Sequence, residues 1–355
     1  MAASDFRALE SKNRRRTAVL VAGFFVLYTL LGLGLDSIAR EISIVRGIVY
    51  PFPIFTTLAI IIVTIQVFAS FYSGASLVLA SVHARPLTPD TPKHEMALNV
   101  ITEMAIAARM PVPKTYVMED PSPNAFATGR DPAHSVICVT QGLADEMDRE
   151  ELQGVIGHEM SHIANYDIRT MMMIAGLAGG IAMLSGIVYD GIFSSGSGGV
   201  DSDVNLVLAD WKAANAMEAL QLIAAIPAFI FASVAQSFAQ MIAMAVSHER
   251  EYLADASSVE FTRNPRGLLR ALQKIAETEF PLKARTAGTA HLFLVNPRER
   301  FRNSADSESY GLRGPKPGPE AFEDQEAFDA HPPLDLRIAR LRAMLGETCA
   351  TTGNA

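Results

Sequence analysis

Four stretches without a single charged side chain constrain this chain more than anything else in it: Thr17–Leu35, Pro51–Val82, Thr170–Tyr189 and Ala219–Ser247. Each is about as long as the ~20 residues an α-helix needs to cross the hydrocarbon layer of a bilayer. Four such runs in 355 residues exceed what one soluble core requires. The last contains Pro227, which a membrane helix tolerates as a kink. The first follows Arg14, Arg15 and Arg16, as a signal peptide would, but its apolar part is too long for a cleaved leader and reads as an anchor.

Loop charge orients these spans. Lys12 and Arg14 to Arg16 precede the first, while Asp190, Asp201, Asp203 and Asp210 against a single Lys212 separate the third from the fourth. An excess of Lys and Arg marks the cytoplasmic side. The expected organisation is therefore a basic cytoplasmic tail (1–16), a membrane hairpin (17–82), a cytoplasmic segment (83–169), a second hairpin (170–247), a second cytoplasmic segment (248–346) and a frayed tail (347–355). The Gly- and Ser-rich stretch Ser194–Asn205 reads as a loop on the opposite face.

The composition agrees: 49% hydrophobic, 19% charged, net charge −8 and mean hydropathy +0.20. An acidic balance gives no electrostatic footprint for nucleic acid. The two cysteines, Cys138 and Cys349, are far apart, and neither has a partner at metal-site spacing. They imply no disulfide framework and fit a reducing compartment.

The cytoplasmic segments read as a mainly helical α+β unit with a small sheet. A helix is expected over Glu95–Met110, strands over Thr115–Met118, Asn124–Thr128 and Ser135–Thr140, and a polar helix over Gly142–Met147. Asp148 with Glu151 three residues on is a capping-box pattern, so a helix should start there and run to about Asn165. Beyond the fourth span, helices are expected over Glu251–Phe261, from Asn264-Pro265 to Phe280, and over Leu334–Leu345. Residues Asn303–Ala330, rich in Gly, Pro and acids, read as a mobile loop or lid.

The capped helix carries His158-Glu159-Met160-Ser161-His162. Residues four apart share a helical face, so both imidazoles can reach one metal ion while Glu159 stands beside it as a general base. A third ligand is needed in the same compartment. Just after the fourth span, Glu251 and Asp255 are spaced i, i+4 on one face, and the second membrane hairpin returns them toward the His158–His162 helix. His158, His162 and Glu251 would leave an open fourth position, the catalytic zinc pattern. Asp255 would accept a hydrogen bond from a ligand imidazole and fix its tautomer. His248, three residues before Glu251, is a competing third ligand.

His158-Glu159-Met160-Ser161-His162 followed by Glu251-Tyr252-Leu253-Ala254-Asp255 resembles the HtpX-type membrane zinc metalloproteases, relatives of the CAAX prenyl proteases. The resemblance covers most of the chain, including Asn124-Ala125-Phe126-Ala127-Thr128-Gly129 and His331-Pro332-Pro333. It implies a gluzincin-like peptidase holding one Zn2+, acting on membrane or unfolded proteins in quality control and stress response at the plasma (inner) membrane, with its active site facing the cytoplasm. Relatives usually carry Arg where His248 stands; alignment with their glutamate favours Glu251. The resemblance also suggests His331 as the donor to an oxyanion, and Asn124 and Ala125 as an edge strand pairing with an extended substrate.

Three rival readings follow. An intramembrane-cleaving protease is opposed by Asp148, Glu150, Glu151, Asn165 and Asp167 around the motif, which are too polar for hydrocarbon depth. A non-catalytic membrane scaffold would be expected to have lost Glu159 or a ligand. A CAAX-type processing enzyme is disfavoured because four spans enclose little volume for a lipidated substrate.

Overall fold

The structure is a computed structural model and describes residues 3–46, 53–177, 248–278, 292–295 and 332–346. Most of the third expected span, the whole fourth, the Ser194–Asn205 and Asn303–Ala330 stretches, His331 and Cys349 lie outside the described residues. The chain divides into two compact units, Met1–Ala18 with Ala69–Gly176 and Met241–Ala355, and Val19–Phe68 with Leu177–Gln240.

Helices α1 (Ala3–Arg46) and α2 (Ile54–Ser81) supply residues 19–46 and 54–68 to the second unit, where they pair as a hairpin. Within them Asn13–Ser37 and Ile54–Ser81, with mean hydropathies of 2.3 and 2.2, are long and apolar enough to cross a membrane. What ties the hairpin is polar. The buried Asp36 carboxylate on α1 accepts the backbone N–H groups of Phe55 and Thr56, both at 2.9 Å, and the Thr56 hydroxyl at 2.6 Å. A carboxylate at a helix N-terminus meets both the orphan N–H groups and the positive end of the helix dipole. Tyr28 donates to Gln66 Oε1 at 2.7 Å. A Cβ at Gly32 would stand 2.4 Å from Thr56 Cα, so the backbones touch where only glycine fits. Val19, Leu30 and Ile65, by contrast, are each more than 60% exposed, an arrangement suited to lipid.

The first unit holds the sheet and the remaining helices. Strand β1 (Arg85–Pro86) pairs antiparallel with β2 (Lys114–Met118). Strand β2 runs parallel to β4 (Ser135–Thr140), and β4 antiparallel to β3 (Ala125–Gly129), in the order β1-β2-β4-β3. Central β4 is buried along its whole length, which its Val-Ile-Cys-Val run suits. Burial pushes the Cys138 thiol pKa up, so this cysteine is an inert core residue. The sequence carried no sign of β1, whose two residues are too few for a periodicity.

Helix α3 spans Pro92–Ala107, a turn earlier than expected, because Thr91 accepts from His94 N at 3.1 Å with Pro92 in the first turn. It stops short of Met110 because Arg109 turns into the left-handed region at φ 55. After α4 (Gln141–Glu146), α5 runs Arg149–Ala164 with both halves of the capping box formed between Asp148 and Glu151. A further helical stretch covers 167–177. Helices α6 (His248–Thr262), α7 (Pro265–Glu277) and α8 (Leu334–Met344) complete the unit. Helix α7 ends before Phe280 because Thr278 is already extended, at ψ 128.

Helix α5 sits in the core and packs on α7, and Leu152, Val155 and Ile156 of α5 share one buried apolar cluster with Leu268, Leu272 and Ile275 of α7. The two backbones meet through reciprocal glycines. A Cβ on Gly154 would lie 2.4 Å from Leu268 N, and one on Gly267 would lie 2.3 Å from Glu150 O. On its other flank α5 packs on α6, where Ser258 donates to Gly154 O at 2.6 Å. That packing sets the spacing of the two helices that carry the candidate site.

Candidate metal centre

His158 and His162 project from one face of α5, as their i, i+4 spacing requires, and their rings meet edge to face with centroids 4.8 Å apart. Their Nε2 atoms are 3.1 Å apart. Glu251, from the first turns of α6, brings Oε2 to 3.5 Å from His158 Nε2 and Oε1 to 3.5 Å from His162 Nε2. All three side chains are buried, and their donor atoms lie within 4.8 Å of one another. His248 is not a member of this group.

These residues fit a metal ion. Each imidazole turns its Nδ1 to a carboxylate: His158 to Asp255 Oδ1 at 2.9 Å, His162 to Asp167 Oδ2 at 3.2 Å. A carboxylate only accepts, so each Nδ1 carries the proton and the Nε2 lone pairs converge with the Glu251 oxygens. Tetrahedral donors about 2 Å from a shared zinc lie ~3.3 Å from one another, close to the separations seen here.

Behind the donors stand two relays. Arg337, from α8 and buried, donates Nε to Asp255 Oδ2 at 2.9 Å and Nη2 to Asp255 Oδ1 at 2.7 Å. Its Nη2 also lies 3.3 Å from His158 Nδ1, and its Nη1 stands 4.0 Å from Glu251 Oε2. The second relay holds Asp167, whose Oδ1 accepts from Arg250 Nη1 at 3.0 Å and from Asn13 Nδ2 at 2.6 Å. Asn13 also donates to Asn165 O at 2.7 Å. Tyr166, left-handed at φ 59, folds the chain back so that Asp167 can reach His162.

The electrostatics follow from these contacts. Burial raises the Asp255 pKa, but the Arg337 charge and the hydrogen bonds from His158 and Arg337 outweigh it and hold the carboxyl at about 2. Burial lowers the His158 pKa, yet its bonds to Asp255 and Glu251 prevail and lift it to about 9 with no ion bound. Burial likewise opposes ionisation of Asp167, and His162 and Arg250 overcome it, so its pKa is lowered. Burial alone would also lower the Arg337 pKa; Asp255 raises it well above the ordinary value, so the guanidinium keeps its charge.

Glu159 sits beside His158 on α5 and is buried. Asp255 stands against a ligand-candidate imidazole. Asn124 and Ala125 lie at the start of edge strand β3. There Ala125 O accepts from Leu294 N at 2.9 Å, and the Asn124 amide donates Nδ2 to Val295 O at 3.0 Å. Sequence reasoning missed Arg337, Asp167, Arg250 and Asn13. One signal was present: Leu334, Arg337, Ile338 and Leu341 follow helical spacing, which puts an arginine on the apolar stripe of α8.

A His-Glu-x-x-His pair on one helix, completed by a carboxylate from a distant one, is the arrangement of a metallopeptidase. Residues 93–345 match peptidase family M48, and the chain belongs to that family. It is similar to proteins described as protease HtpX homologs. It shares 37% identity over 340 residues with that of Lactobacillus helveticus strain DPC 4571, covering 94% of this chain and 98% of the relative. The Lactobacillus acidophilus relative is 37% identical over 336 residues, with the same coverage. That of Listeria monocytogenes serotype 4a is 36% identical over 333 residues, covering 94% and 97%. The chain is thus a membrane-associated metallopeptidase of the HtpX type.

Proposed function

We propose that the protein is a zinc-dependent endopeptidase, anchored by four membrane spans, that cleaves misfolded or membrane proteins at the cytoplasmic face of the inner membrane. The convergence of His158, His162 and Glu251, each in contact distance of the next, carries the reading. Bound there, zinc would supply Lewis acidity, polarising a peptide carbonyl and bringing the pKa of a water toward ~7. Glu159 takes the proton from that water and delivers it to the nitrogen of the leaving amine. Asp255 and Asp167 keep the two Nδ1 atoms protonated and the rings fixed. His331 is the proposed donor to the carbonyl oxygen as it gains charge, and Asn124 and Ala125 are the proposed main-chain partners of the substrate.

The test is the Glu159→Gln variant of the detergent-solubilised protein, assayed for zinc content and for cleavage of casein. Zinc retained with proteolysis abolished is the expected result; near-normal cleavage would overturn the general-base role. Orientation is tested separately by a cysteine label. Asn165 flanks the motif but is buried, so Asp145, exposed on α4, is the better position. Labelling of Asp145→Cys only from the cytoplasmic side is expected, and labelling only from the outer side would reverse the topology.

A further inference from the structure

Edge strand β3 is buried at every residue, which an outermost strand cannot achieve unless something covers it. Over its first residues the cover is the chain's own Leu292–Val295. Leu294 N donates to Ala125 O at 2.9 Å, while Val295 O accepts from Asn124 Nδ2 at 3.0 Å and Val295 N reaches Asn124 Oδ1 at 3.4 Å. Leu294 thus faces Ala125 and Val295 faces Asn124, running opposite to β3, although the segment itself is a single 3-10 residue followed by bends and does not join the sheet. A fourth bond comes from the metal site: Arg337 Nη1 donates to Leu294 O at 3.0 Å. The same nitrogen stands 4.0 Å from Glu251 Oε2.

All four bonds engage main-chain atoms of the segment, so they do not depend on its side chains and a peptide of another sequence offers the same donors and acceptors. The side chains supply the selectivity. Leu292, Phe293, Leu294 and Val295 are all buried, and Phe293 packs edge-on against Phe126 with centroids 5.2 Å apart. A charged side chain in any of these places would lose its hydration without a partner.

We propose that Leu292–Val295 occupies the enzyme's own peptide groove, and that an extended apolar stretch of a protein substrate takes its place, held by Ala125 O, the Asn124 amide and the Arg337 guanidinium. This rests on the endopeptidase reading above. It makes the substrate class unfolded apolar segments, and it makes the resting site self-occupied. Displacement exchanges one set of backbone hydrogen bonds for an equivalent set, so substrates that lack an apolar stretch fail to compete.

The test uses the full-length, zinc-loaded protein in detergent with casein as substrate. Leu294→Pro deletes the N–H given to Ala125 and should raise kcat/KM at least threefold. The peptide Ala-His-Leu-Phe-Leu-Val-Asn-Pro, copied from residues 290–297, should compete with casein by raising KM at unchanged kcat, more strongly in Leu294→Pro than in the unaltered enzyme. The same peptide with Asp at the places of Phe293 and Leu294 should not compete. Should Leu294→Pro fail to fold, Phe293→Ala keeps every backbone bond and decides by the same measurements. Lower activity in the folded variant together with no competition by the apolar peptide would make the segment a permanent cover of β3 and overturn the proposal. Zinc-loaded enzyme that cleaves nothing, or cleaves equally well as Glu159→Gln, would instead sink the endopeptidase reading itself.

Discussion

Arg337 grips Asp255 with two parallel hydrogen bonds, at 2.7 and 2.9 Å, across 82 residues of sequence, and both residues are buried. Asp255 in turn holds His158 Nδ1, so a helix near the C-terminal end of the chain sets the orientation of an imidazole on α5. A planar fork matched to a carboxylate gives direction as well as charge.

The first prediction follows from that pair. Arg337→Lys keeps a positive charge but cannot bond both oxygens, and zinc affinity should fall about 10- to 100-fold. Arg337→Ala leaves Asp255 charged and buried, at a cost of ~3–5 kcal/mol in stability. Competition titration with a zinc chelator and thermal melting check the two effects. Unchanged affinity in Arg337→Lys would reduce the pair to a packing role.

Glu251 and His248 separate cleanly. Glu251→Ala should lose zinc and proteolysis together, while His248→Ala should retain both, because His248 is outside the converging group. Metal analysis of the two purified variants is decisive, and the reverse pattern would reassign the third ligand.

Zinc binding should be coupled to proton release. Without metal His158 holds its proton up to about pH 9, and a ligand imidazole must be neutral. Affinity should therefore rise with pH, by about tenfold per unit below pH 9 if a single proton leaves. Titration calorimetry at pH 7.5 in buffers of different ionisation enthalpy counts the protons. No release at that pH would show that His158 is already neutral.

Asn13 reaches the site from α1, whose stretch Asn13–Ser37 is long and apolar enough to cross a membrane. Asn13→Ala would take the side-chain donor from Asn165 O in a buried place, which costs about 1–3 kcal/mol, and would leave Asp167 Oδ1 held by Arg250 without its second donor. Loss of zinc affinity alongside a lower melting temperature is expected, because Asp167 orients His162. A variant with the native melting temperature and affinity would separate the N-terminal helix from the site.

Gly154→Ala should be among the most damaging single-methyl additions in the protein. Its Cβ would meet the backbone of α7 at 2.4 Å, and backbone cannot rotate aside as a side chain can. Overpacking of this kind costs about 1–3 kcal/mol. A melting temperature within error of the unaltered protein would show that α5 and α7 can separate freely.

Local signals were legible in the sequence where a few neighbouring residues carry them. The Asp148–Glu151 capping box announced the start of α5, and the i, i+4 histidines then had to share a face. The first two apolar runs matched helices long enough to cross a membrane. Boundaries shifted where a cap or a left-handed residue intervened, as at Thr91 and Arg109 on α3.

By itself, then, the sequence determined the apolar runs, the capped helix, the metal-binding pattern on it and the acidic pair at Glu251 and Asp255, because each is a matter of spacing within one element. Only the tertiary structure decided what stands behind those donors. Arg337, Arg250, Asn13 and Asp167 come from four separate places in the chain, and Leu292–Val295 reaches β3 from a fifth. Burial makes them matter: with water excluded, each carboxylate and each strand edge must find its partner within the protein, and packing chooses which.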